Sequence, residues 1–204
     1  MFPLGSVLFP SAFLPLHVFE PRYREMVRAC LAGDREFGVV LISRGSEVGG
    51  NDVRTVIGTV ARIIEATELQ DGRWALAAVG TRRIRVQAWL PDDPYPEAEV
   101  EHWDDEPFTA TAADVYADVL IALRRVLALK AEVGDAAVEA TIELADDPML
   151  GSYQASAVSP FGPADQQRLL CAAGTDERLT MLATMLSEEE HFLHARIAAG
   201  EPEP

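Results

Sequence analysis

The chain has 204 residues, 49% of them hydrophobic and 25% charged, enough for one large domain or two small ones with a real core and too apolar for wholesale disorder. Its 33 acidic residues against 17 basic ones leave a formal net charge of −16. That balance repels nucleic acid and anionic membrane unless a basic patch is segregated on one face, and it favours basic or apolar partners.

The two cysteines, Cys30 and Cys171, are far apart, which fits neither a metal knuckle nor a disulfide scaffold, so both read as reduced, buried thiols. Met1 is followed by Phe-Pro-Leu-Gly with no basic n-region, and no proline-free apolar stretch approaches the roughly 20 residues of a bilayer span. The expectation is a cytoplasmic protein with no membrane partner.

In the opening run VLFPSAFLPLHVFEPRYREMV, Pro10 and Pro15 would break a helix, so they bracket a loop between short strands at about 4–9 and 14–19. Pro21 suits the first position of a helix, with Glu20 at its positive end. From there Tyr23, Met26, Val27, Cys30 and Leu31 form one apolar stripe that stops at Gly33. EFGVVLI at 36–42 reads as a buried strand, followed by a mobile loop, SRGSEVGGND. Residues 54–90 read as a β-meander with Asp71-Gly72 as a two-residue hairpin turn, and YPEAEVEHW supplies one more strand. Five to seven short strands with one small helix indicate a small barrel or sandwich.

After DDEP at 104–107 the apolar period changes from 2 to 3.6. Thr111 and Asp114 open a helix with the stripe Tyr116, Val119, Leu120, Leu123, Val126 and Leu127. A shorter helix is expected at 136–145. Asp147-Pro148 is a cap followed by a first-turn proline, Pro163 opens another helix that Gly174 ends, and Thr175 starts the last one. The core side of that last helix includes Leu179, Leu182, Leu186, Leu193 and Ile197, and the tail GEPEP should fray.

No GxxxxGK[ST] occurs, so there is no phosphate-binding P-loop, and the sole lysine, Lys130, reads as a solvated residue near a helix end rather than half of a Ser-Lys nucleophile pair. Glu188, His191 and His194 lie at i, i+3 and i+6, and His191 and His194 could in principle share a metal, but the offset of the histidines along the helix and the want of a third strong ligand favour a polar helix end packed by Phe192 and Leu193. His17 and His102 read as partly buried, satisfied histidines. Arg82, Arg83 and Arg85 with Trp74 and Trp89 nearby could make a nucleic-acid patch, yet alternation divides the arginines between two faces and a solvated strand face is the simpler reading. Neither a catalytic residue nor a cofactor or metal site is assigned.

The segments FPLGSVLFPSAFLPLHVFEPRYREMV, FGVVLI, IGTVARI, DGRWALAAVGTRRIRV and YPEAEVE resemble the amino-terminal substrate-binding domain of the Lon ATP-dependent proteases, and free-standing bacterial members in particular. LLCAAGTDERLTMLATMLSEE resembles the helical region that follows it. The resemblance implies an α+β fold: a PUA-like β pseudobarrel at 1–106, a C-terminal helical bundle at 107–200, and a disordered tail at 201–204. It implies contact with unfolded or flexible protein segments, with a protease system as a candidate second partner, and it does not imply catalysis, because the ATPase and peptidase modules of Lon lie further along the chain than this sequence runs. Other PUA-like proteins bind RNA, so an RNA-binding module is the alternative, against which the charge argues. The motif Phe19-Glu20-Pro21-Arg22-Tyr23 is the most specific part. Phe9, Leu16, Phe19, Glu20, Arg22, Tyr23 and Met26 are the candidate peptide-binding residues. The competing assignment is that Phe19, Tyr23 and Met26 pin the first helix to the barrel while Glu20 and Arg22 settle its end.

Overall fold

The chain divides into two units, Met1–Asp104 and Asp105–Pro204; the computed structural model describes residues 1–45, 52–135 and 138–199. The mobile loop expected at 43–52 and the frayed tail fall mainly or wholly outside the described residues, although Ser43 and Arg44 belong to a strand.

In the first unit, strands β1 (Phe2–Leu4), β2 (Phe13–Val18), β3 (Glu36–Arg44), β4 (Val53–Glu68), β5 (Trp74–Trp89) and β6 (Ala98–His102) form one mixed sheet, with helix α1 (Pro21–Ala32) between β2 and β3. The order is β1-β3-β4-β5-β2, with β6 also on β5. Two strands of 16 residues dominate it, where the sequence reading gave only short ones. Bulges in the β4–β5 pairing near Val60 and Ile64 let the long ribbon curl, so that β5 pairs with β2 along its first half and with β6 along its second.

The first strand differs from the expectation of 4–9. β1 runs only from Phe2 to Leu4, parallel to β3, and the chain then becomes irregular. Leu8 and Phe9 are buried all the same. Pro10 cannot donate to a ladder, and loop geometry feeds the buried backbone instead: the Thr59 hydroxyl donates to the Leu8 carbonyl at 2.6 Å, and Ser11, at φ 66°, donates from its N–H to the Gly80 carbonyl at 2.8 Å. A Cβ at Gly80 would collide with the carbonyl oxygen of Phe9, so glycine permits this close approach.

Pro21 opens α1 as its type predicts, and Tyr23, Met26 and Val27 are buried against the sheet. Tyr23 stacks on Phe2 with ring centroids 4.3 Å apart. The β4–β5 turn is a three-residue loop, Gln70-Asp71-Gly72, rather than a two-residue one: Leu69 and Arg73 still pair, and Gly72 takes φ 76° to close it.

The second unit contains α2 (Ala112–Glu132), α3 (Pro148–Val158), α4 (Pro163–Leu170) and α5 (Thr175–Ala199). α2 packs chiefly on α5, and Val119, Leu123 and Val126 of α2 and Leu179, Leu182 and Leu186 of α5 are all buried. Leu120 is only half-buried and Ile197 is exposed, so the apolar stripes are narrower than the sequence reading. The Asp147 carboxylate caps α3 by accepting from the Leu150 N–H at 2.8 Å.

No helix forms over the described part of 136–145. There Ala145 is held from both sides, its N–H donating to Gln154 Oε1 at 2.7 Å and its carbonyl accepting from the Tyr116 hydroxyl at 2.8 Å, which replaces helical pairing. Gly174 does not end α4, which stops at Leu170; it instead bridges to Glu106, whose backbone would meet any Cβ there. At the centre of this unit Arg178 is fully buried and binds the Asp105 carboxylate through both terminal nitrogens, with Nη2–Oδ2 at 2.9 Å. The Tyr153 ring stacks on the Arg178 guanidinium at 3.7 Å, and the Tyr153 hydroxyl donates to Asp105.

Candidate peptide-binding face

β2 has a single strand partner, β5, among the described residues, which makes it an edge strand. Side chains alternate across a strand, and here the two sets differ in fate. Leu14, Leu16 and Val18 turn inward onto the core. Phe13, Pro15 and His17 turn outward and are exposed, Phe13 at 60%. Phe19, the next residue in that outward register, is 53% exposed.

The cross-strand register extends this outward set over the neighbouring strands. Phe13 pairs with Val79, Pro15 with Ala77 and His17 with Ala75, and Ala77 in turn faces Glu65 on β4. Ile64 follows buried Ala61 and Ile63 in strand alternation and is 57% exposed, and the bulge between Ile63 and Glu65 brings Glu65 outward as well. Phe13, Phe19 and Ile64 are therefore large apolar groups on a floor of small side chains, Ala75 and Ala77. A solvated sheet face ordinarily carries polar residues; here Phe13, Phe19 and Ile64 are exposed among His17, Arg62, Glu65 and Thr67, which makes the face a candidate interaction surface. Pro15 removes one main-chain donor from β2, so the open edge is a poor continuous template for another strand and the side-chain face is the stronger feature.

Charge borders the face. Glu36, on β3, accepts from Arg82 at 2.6 Å and from Arg62 at 2.8 Å, and the hydrogen bond from Arg82 chiefly holds its carboxyl below the ordinary range. Both arginines are thereby engaged, while Glu65 stands exposed beside the apolar residues.

The candidate residues do not lie together on this surface. Phe9, Tyr23 and Met26 are core, at 1%, 3% and 2% exposure, and burial pushes the Tyr23 hydroxyl up to about 12. Leu16 is half-buried on the inner side. Glu20 and Arg22 pair with each other at 3.1 Å, and the Arg22 guanidinium lies 4.5 Å from the centre of the Tyr23 ring. Phe19 is the member that reaches solvent as a large apolar group, so it does not pin the helix as Tyr23 and Met26 do. Phe13 and Ile64 escaped the sequence reading. The alternation of Phe13, Pro15, His17 and Phe19 with Leu14, Leu16 and Val18 carried the signal for the first, and that of Arg62 and Ile64 with Ala61 and Ile63 carried it for the second.

Other expectations change with the geometry. Arg83 is buried, not on a solvated face, with its guanidinium 4.1 Å from the Trp103 ring centre; Arg85 covers the same ring at 4.6 Å and pairs with Glu101 at 3.7 Å. His17 and His102 are exposed rather than partly buried, and His102 Nε2 accepts from Arg82 Nε at 3.1 Å. Lys130 is bound by Asp135 at 2.9 Å and Glu189 at 3.2 Å instead of lying free in solvent. Cys30 is a half-buried free thiol and Cys171 is exposed, so neither is the fully buried thiol expected. Among the described residues no cluster of His, Cys, Asp and Glu could hold a metal ion, and no helix is long and apolar enough to cross a membrane.

A family model described as the substrate-binding domain of ATP-dependent protease La (LON) matches residues 1–188. Lon protease 2 of Herpetosiphon aurantiacus is 28% identical over 91% of this chain, which spans only 23% of that relative. The crystal structure of a Lon N-terminal domain protein from Xanthomonas campestris superposes with a TM-score of 0.63 at 27% identity, covering 90% of this chain and 95% of that one. The N-terminal domain of a Mycobacterium avium complex Lon protease shares the fold at a TM-score of 0.64, with 18% identity and coverage of 91% and 94%.

Proposed function

The chain belongs to the Lon substrate-binding domain family, and from that premise we propose that it is a non-catalytic protein-binding module of the cytoplasm that takes unfolded or flexible protein segments on the outer face of β2, β5 and β4. The observation that carries this reading is the group of exposed Phe13, Phe19 and Ile64 on a sheet face floored by alanine. Apolar side chains of a client would be removed from water there, each fully buried one stabilising the complex by about 1.5–3 kcal/mol before ordering costs. The exposed Glu65 and the net charge of −16 favour clients with basic flanks. A protease that receives such clients is a second partner in this reading, since the matched region in the Herpetosiphon relative is part of a much longer protease chain.

The RNA reading loses its support at the arginines. Arg82 is committed to Glu36, Arg85 to Glu101 and Trp103, and Arg83 is buried beneath the same tryptophan, so this set offers no basic stripe to a phosphate backbone.

Site-specific cross-linking tests the assignment. With p-benzoylphenylalanine in place of Phe13, illumination should join the protein to reduced, carboxymethylated lactalbumin, whereas the same group at exposed Ile121 on α2 should give little product. Equal yields from the two positions would count against the sheet face.

A further inference from the structure

Two buried nitrogen donors of the first unit have no acceptor. Trp74, the first residue of β5, is 9% exposed and packs into the core, yet its indole Nε1 has no hydrogen-bond partner among the described residues. Arg24, on α1, is half-buried; its Nε is buried and also lacks a partner, and its guanidinium forms no ion pair among the described residues. An indole N–H and a guanidinium can only donate, and buried polar atoms are ordinarily paired, so these two groups call for an acceptor.

The fold brings them to one end of the sheet. The Arg24 guanidinium lies against Gly72, where a Cβ would come to 3.0 Å from its Cζ, and Gly72 stands two residues before Trp74. One helical turn further along α1, Arg28 reaches Glu68 at 3.3 Å, and Glu68 is the residue that faces Trp74 across the β4–β5 ladder. The Arg24–Arg28 side of α1 thus runs along residues 68–74. The acids in these two segments are committed elsewhere: Glu20 pairs with Arg22 at 3.1 Å, Glu25 and Glu68 with Arg28, and Asp71 with Arg73 at 2.6 Å. In a chain with 33 acidic residues against 17 basic ones, a guanidinium that no carboxylate takes runs against the balance.

We propose that Arg24 and Trp74 together form a site for a single carboxylate group, which accepts from the guanidinium fork and from the indole N–H. Charge favours a carboxylate over a phosphate. The field of a chain of net charge −16 opposes a dianion about twice as strongly as a monoanion. A free organic acid and the terminal carboxylate of a peptide present the same group. The site is independent of the sheet-face reading, because Trp74 belongs to the core side of the sheet and Phe13 to the outer one.

Nitrogen–proton correlation spectra of the isotope-labelled full chain test the proposal. The Trp74 indole signal is identified by its loss in Trp74→Phe or, should that core variant not fold, by elimination with Trp89→Phe and Trp103→Phe. At constant ionic strength, sodium acetate should move the Trp74 indole and Arg24 Nε–H signals together and to saturation, and sodium phosphate should bind more weakly. Acetyl-glycyl-phenylalanine with a free carboxyl end should act as acetate does, and its amide should not; tighter binding than acetate names a peptide end as the source, and equal binding a free acid. Arg24→Gln should weaken the acetate response of Trp74 about tenfold or more with the rest of the spectrum retained, and Arg24→Lys, which keeps the charge without the fork, should fall between. Phe13→Ser should leave the response unchanged. The proposal is overturned if acetate gives no saturable shift, if the Trp74 response persists in Arg24→Gln, if phosphate binds equally, if the amide binds as well as the acid, or if a bound water that acetate does not displace serves both N–H groups.

Discussion

Tyr23 and Phe19 sit four residues apart in one short motif and have different surroundings. Tyr23 is 3% exposed and stacked on Phe2, so truncation to alanine leaves a cavity in the core of the first unit. Tyr23→Ala should cost about 3 kcal/mol or more, read from urea denaturation. Phe19, 53% exposed, has far less contact to lose, and Phe19→Ala should change stability by no more than about 0.5–1 kcal/mol while weakening client binding. Equal destabilisation by the two substitutions would show that Phe19 is a packing residue after all. The sequence could not separate them, because a helix-periodic stripe and a strand-periodic alternation meet at this motif, and only the second governs Phe19.

At the scale of elements, Glu36 links β3 to β4 through Arg62 and to β5 through Arg82. Its carboxyl is held below the ordinary 4.5, first by the Arg82 hydrogen bond and then by Arg62, against the opposing effect of burial. The unfolded state therefore binds the proton more readily than the folded one. The contribution is present in full above the unfolded value and is lost as pH falls through the folded value. Wild type should accordingly melt higher than Glu36→Gln at pH 7, with the gap closing as pH falls below the ordinary 4.5 of the carboxyl. A gap independent of pH would remove the ion pairs from the account.

Which elements were legible follows from what encodes them. Pro21 and Asp147-Pro148 mark helix starts by local backbone chemistry, and α1 and α3 begin there. Branched apolar residues at 36–42 mark a buried strand, which β3 contains. The segment 136–145 has helical composition, yet its described part is held by Tyr116 and Gln154 from other elements, a tertiary effect that no local pattern records. The buried Arg178–Asp105 pair is likewise set by packing, and so is the placement of Arg83 under Trp103. For the candidate face, alternation along β2 and at 61–64 of β4 was readable, whereas bringing Ile64 and Phe13 to one face required the registers of β4 and β2 against β5.

For the whole molecule, the net charge of −16 and the apolar sheet face make opposed demands on salt. Apolar burial is little screened, and the acidic surface mainly accelerates encounter with basic chains, so client affinity should survive an increase in ionic strength. Phosphate recognition behaves oppositely, with losses of about 10³–10⁵ between 50 and 200 mM salt for 6–10 phosphate contacts. The most direct test titrates labelled, reduced and carboxymethylated lactalbumin and a labelled single-stranded RNA against wild type and the triple variant Phe13→Ser/Phe19→Ser/Ile64→Ser, at about 50 and 200 mM salt. The account predicts client binding by wild type that changes only a few-fold between the two salts, a loss of about tenfold or more in the triple variant with its melting temperature retained, and no tight RNA binding. Client affinity unaltered by the triple substitution, or tight RNA binding with a steep salt slope and no client binding, would contradict it.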